Sequence, residues 1–111
     1  MIETQILRAD DWPLWRQLRL EALADSPAAF GSTLAQWSGS GDTEHRWRAR
    51  LTDIPFNAVI RLDGTAAGMV GAYVNADSAV ELVSMWVAPF ARGRGIGDAA
   101  IHAVVDWADH R

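Results

Sequence analysis

The segment best equipped for chemistry is Arg92-Gly93-Arg94-Gly95-Ile96-Gly97, which lies between an apolar run and an amphipathic one. Glycines at alternate positions open backbone conformations closed to other residues and let a ligand approach the main chain. A helix starting there presents unpaired N–H groups and the positive end of its dipole. Together these make an anion cradle suited to phosphate or pyrophosphate, with Arg92 and Arg94 adding charge around it. Spacing limits the alternatives. A Walker A loop needs four residues between its glycines and then Lys-Ser or Lys-Thr, and this chain has no lysine. A dinucleotide fingerprint needs a parallel βαβ unit with an acidic residue about 20 positions on, beyond the last residue of the sequence. A tight strand-to-helix turn without any ligand is the remaining plain reading of these glycines.

Other side chains invite weaker readings. Glu81 opens the apolar run, and strict alternation would place it on one face with Val83, Met85 and Val87. Tyr73, the one tyrosine, suits packing or contact with a ligand better than catalysis. His102 lies one turn from both Asp98 and Asp106, a spacing better read as a solvated polar stripe than as a metal site. Arg46, Arg48 and Arg50 flank Trp47, but alternate positions spread round a helix and do not form a basic face.

The elements that must position these groups follow from periodicity. Residues 3–8 read as a first strand. Asp10 or Asp11 is expected to cap a helix with Pro13 in its first turn, where Leu14, Trp15, Leu18, Ala22 and Leu23 form an apolar stripe. Asp25-Ser26-Pro27 ends it. Ser38-Gly39-Ser40-Gly41 reads as a flexible loop, and Asp42 or Thr43 as the cap of a second helix over residues 44–51. Strand signals follow at residues 56–62, 66–75 and 80–87. Asp63-Gly64 suits a tight hairpin turn between the first two, and residues 75–78 form a turn before the third. Gly68 and Gly71 weaken the middle strand or mark a bulge. Residues 95–110 form the clearest helix, with Ile96, Ala100, Ala103, Val104 and Trp107 on one face and Asp98, His102, Asp106 and Asp109 on the other. The order β-α-α-β-β-β-α indicates one α+β (mixed α/β) domain on a largely antiparallel sheet.

Composition sets outer limits. The chain has 111 residues, a net charge of -4 and half its residues apolar, including six tryptophans that supply core volume. The acidic balance argues against nucleic acid as a partner, and no apolar run approaches the roughly 20 residues of a membrane span. All ten basic residues are arginine and cysteine is absent, so lysine and cysteine nucleophiles and thiolate metal sites are excluded. A cytoplasmic location is the expectation, because residues 1–5 lack the features of a secretory signal.

The glycine segment resembles the acetyl-CoA loop of the GNAT superfamily of N-acetyltransferases, whose pattern is Gln or Arg, two residues, Gly, one residue, then Gly or Ala. Arg92, Gly95 and Gly97 fill the specified places. Met85-Trp86-Val87-Ala88-Pro89 is similar to the family's fourth strand and its proline exit, and residues 18–32 are similar to its first helix and following loop. The resemblance implies that backbone groups of Met85, Trp86 and Val87 pair with the pantetheine arm of acetyl-CoA. Backbone N–H groups of Arg92, Gly93, Arg94, Gly95, Ile96, Gly97 and Asp98 would hold its pyrophosphate. Glu81 matches a position where many members carry the carboxylate that accepts the amine proton. Asp98 departs from the basic or neutral residue usual there, and near pyrophosphate it must turn outward.

The implied activity is transfer of an acetyl group to a primary amine of a small molecule or peptide, by direct attack. A coenzyme A binding module without catalysis, or a phosphate-binding domain unrelated to acyl transfer, are the alternatives. The family's usual domain continues with a fifth strand, a helix bearing a tyrosine acid and a terminal hairpin, none of which the sequence contains. A homodimer is one expected way of covering the strand edge so exposed. Phe30 and Trp37 are candidates for an acceptor pocket or for ordinary core.

Overall fold

Apolar residues at strand spacing on either side of Asp63-Gly64 pair as a hairpin, β2 (Phe56–Leu62) with β3 (Thr65–Val74). Asp63 and Gly64 both take positive φ, 51° and 85°, the geometry a two-residue hairpin turn requires. In the computed structural model, which describes residues 1–26 and 33–111, this hairpin is the centre of a four-stranded sheet. Strand β1 (Ile2–Ile6) pairs with β2, and β4 (Val80–Val87) pairs with β3, all antiparallel in the order β1-β2-β3-β4. The turn before β4 is held by Asn75, whose Oδ1 accepts from the N–H groups of Asp77 at 2.9 Å and Ala79 at 3.0 Å.

Helices cover both faces. Helices α1 (Trp12–Asp25) and α2 (Glu44–Asp53) lie on one, burying Trp15, Leu18, Ala22, Trp47 and Leu51 against Val59, Met69 and Trp86. Helix α3 (Ile96–Asp109) lies on the other, burying Ile96, Ala100 and Val104 against Ala58, Ile60, Val70 and Ala72. The α3 stripe is the expected one, and Asp98, His102, Asp106 and Asp109 are exposed. Gly68 faces α3. A Cβ there would sit 2.7 Å from Ile96 Cγ2 and 3.0 Å from the Trp86 carbonyl oxygen, so its role is close approach of helix to sheet.

Several local expectations are corrected. Strand β1 begins and ends earlier than residues 3–8, because Arg8 turns into a 3-10 turn (Ala9–Asp11). Asp11 occupies the N-cap position of α1 but makes no capping bond into it; its carboxylate accepts from the N–H of Arg8 at 2.8 Å. Asp10 instead pairs with Arg48 at 2.6 Å. Thr43 caps α2 by accepting from the N–H of Arg46 at 3.2 Å. Asp42 is drawn away to accept from Arg16 Nη2 at 2.6 Å and Trp47 Nε1 at 2.7 Å, and these bonds hold its carboxyl down to about 2. Residues 38–41 are not a structureless loop: Ala35–Trp37 and Gly39–Gly41 form 3-10 turns. Arg46 Nη1 donates to the carbonyls of Gln36 and Gly41 at 2.6 and 3.0 Å, with its guanidinium 4.0 Å over the Trp37 ring. The second half of the expected first-helix resemblance, including Phe30, falls on residues outside those described.

Candidate functional site

The chain leaves β4 through Ala88, makes a 3-10 turn at Pro89–Ala91, and enters α3 after Arg92, Gly93, Arg94 and Gly95. Gly93 and Gly95 have φ of 80° and 86°, conformations an L side chain would strain. Gly95 is the left-handed N-cap of α3, and the helical ladder begins with Ala99 N donating to Gly95 O at 3.0 Å. The N–H groups of Ile96, Gly97 and Asp98 precede that first bond, as the first N–H groups of any helix do. They stand at the positive end of a 14-residue helix. Above Gly93 there is open space. A Cβ on Gly97 would meet only Met85 Cε at 3.6 Å, an ordinary contact, which gives physical content to a motif position open to glycine or alanine. This arrangement fits a diphosphate: backbone donors, a helix dipole and open space above Gly93.

The two arginines differ. Arg94 is exposed at the loop's crest. Arg92 turns back onto the scaffold, donating from Nε to the Val87 carbonyl at 3.1 Å and from Nη2 to Asp25 Oδ2 at 2.6 Å. Trp86 Nε1 donates to the same oxygen at 3.0 Å. The bonds from Trp86, Arg92 and Ser26 hold the Asp25 carboxyl below the usual carboxylate range. Asp25 thus ties the end of α1 to both β4 and the loop. In the sequence Asp25 reads only as a helix stop, since 67 positions separate it from Arg92.

Strand β4 is an edge of the described sheet, bonded only to β3. It is not regular. Val83 pairs with Gly71 and Trp86 with Met69, so Ser84 and Met85 together oppose the single residue Val70, a β-bulge with Ser84 at φ 56°. The bulge breaks the strict alternation expected for Glu81. Glu81 and Val83, opposite Tyr73 and Gly71, face α1 and α2 with Trp86, whereas Met85 and Val87 pack on the α3 side.

Glu81 itself is exposed at the start of β4. The Tyr73 hydroxyl donates to its Oε2, and Asn75 Nδ2 donates to Oε1 at 3.2 Å. The bond from Tyr73, and then that from Asn75, hold its carboxyl below the ordinary glutamate value, while the same contact raises the tyrosine. Tyr73 therefore binds the candidate base.

On the α1/α2 face, beside the bulge of β4, sits a group that no sequence motif marks. Arg50 of α2 donates from Nη1 to Asn57 Oδ1 at 2.8 Å and from Nη2 to Ser84 Oγ at 3.1 Å, with Cζ 4.7 Å from the Trp15 ring centre. Burial, reinforced by the charge of Arg19, pushes Arg50 down to about 10. Arg46 and Arg48, its neighbours in the same stretch, are engaged with the loop carbonyls and with Glu44 and Asp10.

Among the described residues no helix is long and apolar enough to cross a membrane. No curated protein matches the chain. Solved structures share its fold. An aminoglycoside acetyltransferase from an uncultured soil metagenomic sample superposes with a TM-score of 0.75 at 19% identity, over 100% of this chain and 74% of that one. The PaiA N-acetyltransferase of Thermoplasma acidophilum in complex with coenzyme A gives 0.74 at 15%, over 99% and 73%. The ribosomal-protein-alanine N-acetyltransferase of Brucella melitensis biovar Abortus 2308 gives 0.72 at 20%, over 100% and 74%. The model of the Acetyltransferase (GNAT) family matches residues 12–111. With that match spanning both helical layers, β4 and the glycine loop, the chain belongs to the GNAT acetyltransferase family.

Proposed function

We propose that this chain is an acetyl-CoA-dependent N-acetyltransferase that acetylates a primary amine of a small molecule or peptide by direct attack. The observation that carries the reading is the loop from Arg92 to Gly97, two left-handed glycines opening a 14-residue helix directly beyond the free edge of β4. The N–H groups of residues 92–98 hold the diphosphate, and the backbone of Met85, Trp86 and Val87 takes the pantetheine arm as an added strand. Acetyl-CoA supplies an activated acyl group. The protein contributes position: its edge strand and helix end fix the thioester where an amine arriving from the α1/α2 face can reach its carbonyl carbon. The C–N bond forms, the C–S bond breaks, the ammonium proton passes to the Glu81 carboxylate, the departing thiolate takes a proton from water, and Glu81 gives its proton to the hydroxide so formed and returns to the carboxylate.

Relatives that act on an aminoglycoside and on a ribosomal-protein alanine support an amine acceptor of either size. The apolar side chains left exposed on β1 and α3, Ile6 and Val105 among them, support a homodimer as the assembled form, which light scattering reports.

A second reading has one specific observation in its favour. Both oxygens of Glu81 are already engaged by Tyr73 and Asn75, so a coenzyme A binding module without turnover fits the same loop. An acetylation assay over a panel of amines, with wild type beside Glu81→Gln, separates them. Turnover that falls about 100-fold in Glu81→Gln supports the catalytic base; tight acetyl-CoA binding with no product on any amine supports the module. Because Tyr73 holds the Glu81 carboxyl low, the base form persists as pH falls below the ordinary glutamate range. Tyr73→Phe should move the acid limb of the rate profile upward in pH, and an unmoved limb would exclude Glu81 as the group titrating there.

A further inference from the structure

The bulge of β4 is held from outside the sheet. Ser84 occupies a left-handed conformation that costs a non-glycine residue free energy, so something must over-determine it. The guanidinium of Arg50 spans the gap between the fixed Asn57 amide and Ser84 Oγ. Asn57 is buried, and its Nδ2 donates to the carbonyls of Leu51 and Ile54 at 3.3 and 2.8 Å, which ties it to the end of α2. Gly71 makes the room: a Cβ there would lie 3.0 Å from Arg50 Nη2, 3.0 Å from Asn57 Oδ1 and 3.2 Å from Val83 Cγ2. Trp15 closes the stack from α1. Four residues from four elements, Trp15, Arg50, Asn57 and Gly71, thus converge on one strand irregularity at Ser84, and a planar two-pronged donor is the side chain that suits two acceptors held apart.

We propose that Arg50 is a positioning residue that clamps the Ser84–Met85 bulge and so sets the direction in which the following edge, Met85 to Val87, offers its backbone to the pantetheine arm. The inference rests on the reading that this edge receives that arm. Without the clamp Ser84 relaxes toward regular strand, Met85 shifts register, and the edge no longer runs in line with the anion cradle. The cradle itself, built on Gly93, Gly95 and the start of α3, is untouched.

The test uses Arg50→Gln in the full chain, with two readouts. In the free protein, NMR should show the Ser84 and Met85 backbone signals moving from the left-handed, bulged pattern toward regular strand, while residues 93–98 keep theirs; unmoved Ser84 signals would overturn the clamp. By calorimetry, acetyl-CoA should bind Arg50→Gln about tenfold more weakly than wild type while ADP, which lacks the pantetheine arm, binds both equally. Equal losses for both ligands, or none for either, would overturn the proposal. Ser84→Gly relieves the left-handed strain and should make Arg50→Gln nearly silent for acetyl-CoA, whereas an undiminished loss would show that Arg50 acts elsewhere. Should wild type bind acetyl-CoA no better than ADP, the edge-strand reading itself fails, and the NMR result still decides whether Arg50 holds the bulge.

Discussion

The two faces of the sheet are built by different chemistry. On the α3 face the buried cluster is apolar throughout, from Phe56, stacked 5.4 Å from Trp107, to Ile96 and Val104. That face needs only to seat a helix, because on the proposed reading α3 contributes to the site only its backbone end. The α1/α2 face also buries a core, including Trp15 and Trp47, yet polar groups run through it: Arg16 with Asp42 and Trp47, Arg50 with Asn57 and Ser84, and Asp25 with Trp86 and Arg92. Those bonds fix side chains and a strand irregularity instead of a helix axis. The two faces divide the labour. On the proposed reading, main-chain recognition of a diphosphate asks for glycine and close packing, while orienting an edge strand and the Glu81 carboxylate asks for directional bonds.

Substitutions on each face should separate these roles. The largest loss is expected on the α1/α2 face from Trp47→Ala, which removes a fully buried indole and one bond to Asp42. About 3–5 kcal/mol of stability should disappear in urea unfolding, and a loss below about 1 kcal/mol would mean that this core is not as packed as described. On the α3 face, Gly68→Ala should cost about 1–3 kcal/mol by pressing on Ile96 and the Trp86 carbonyl. It should also weaken ADP binding by displacing the helix end.

Gly95→Ala probes the cradle more narrowly. A side chain at φ 86° should cost about 1–2 kcal/mol, with ADP affinity falling more than any change in acceptor KM. The smallest effect is a pH window. Asp42 has its carboxyl depressed from 3.8 to about 2, so its stabilising bonds are fully present above 3.8 and lost as pH falls through about 2. Unfolding curves across that window should steepen for wild type and flatten in Asp42→Asn; identical curves would break the assignment.

Local signals were legible and long-range ones were not. Asp63-Gly64 announced its hairpin because both residues tolerate positive φ, and the glycine loop announced a left-handed strand-to-helix turn because its geometry lies in consecutive residues. The α3 stripe followed from spacing alone. The faces of Glu81 and Met85 were misjudged because alternation assumes a regular strand, and the bulge between them depends on Arg50, 34 positions away. A serine amid Leu82, Val83, Met85, Trp86 and Val87 was the one trace of it. Asp42 looked like a cap because caps are local; its real partners, Arg16 and Trp47, come from two helices. Gly68 and Gly71, expected to weaken the middle strand or mark a bulge, do lie beside register shifts, but the atoms that need their space belong to other elements and left no local trace.

Calorimetry of the unaltered chain with acetyl-CoA and with ADP bears most directly on the central claim. Both should bind at the Arg92–Gly97 loop, acetyl-CoA more tightly, since it alone reaches the edge of β4. ADP binding as tightly as acetyl-CoA, or neither binding at all, would contradict it.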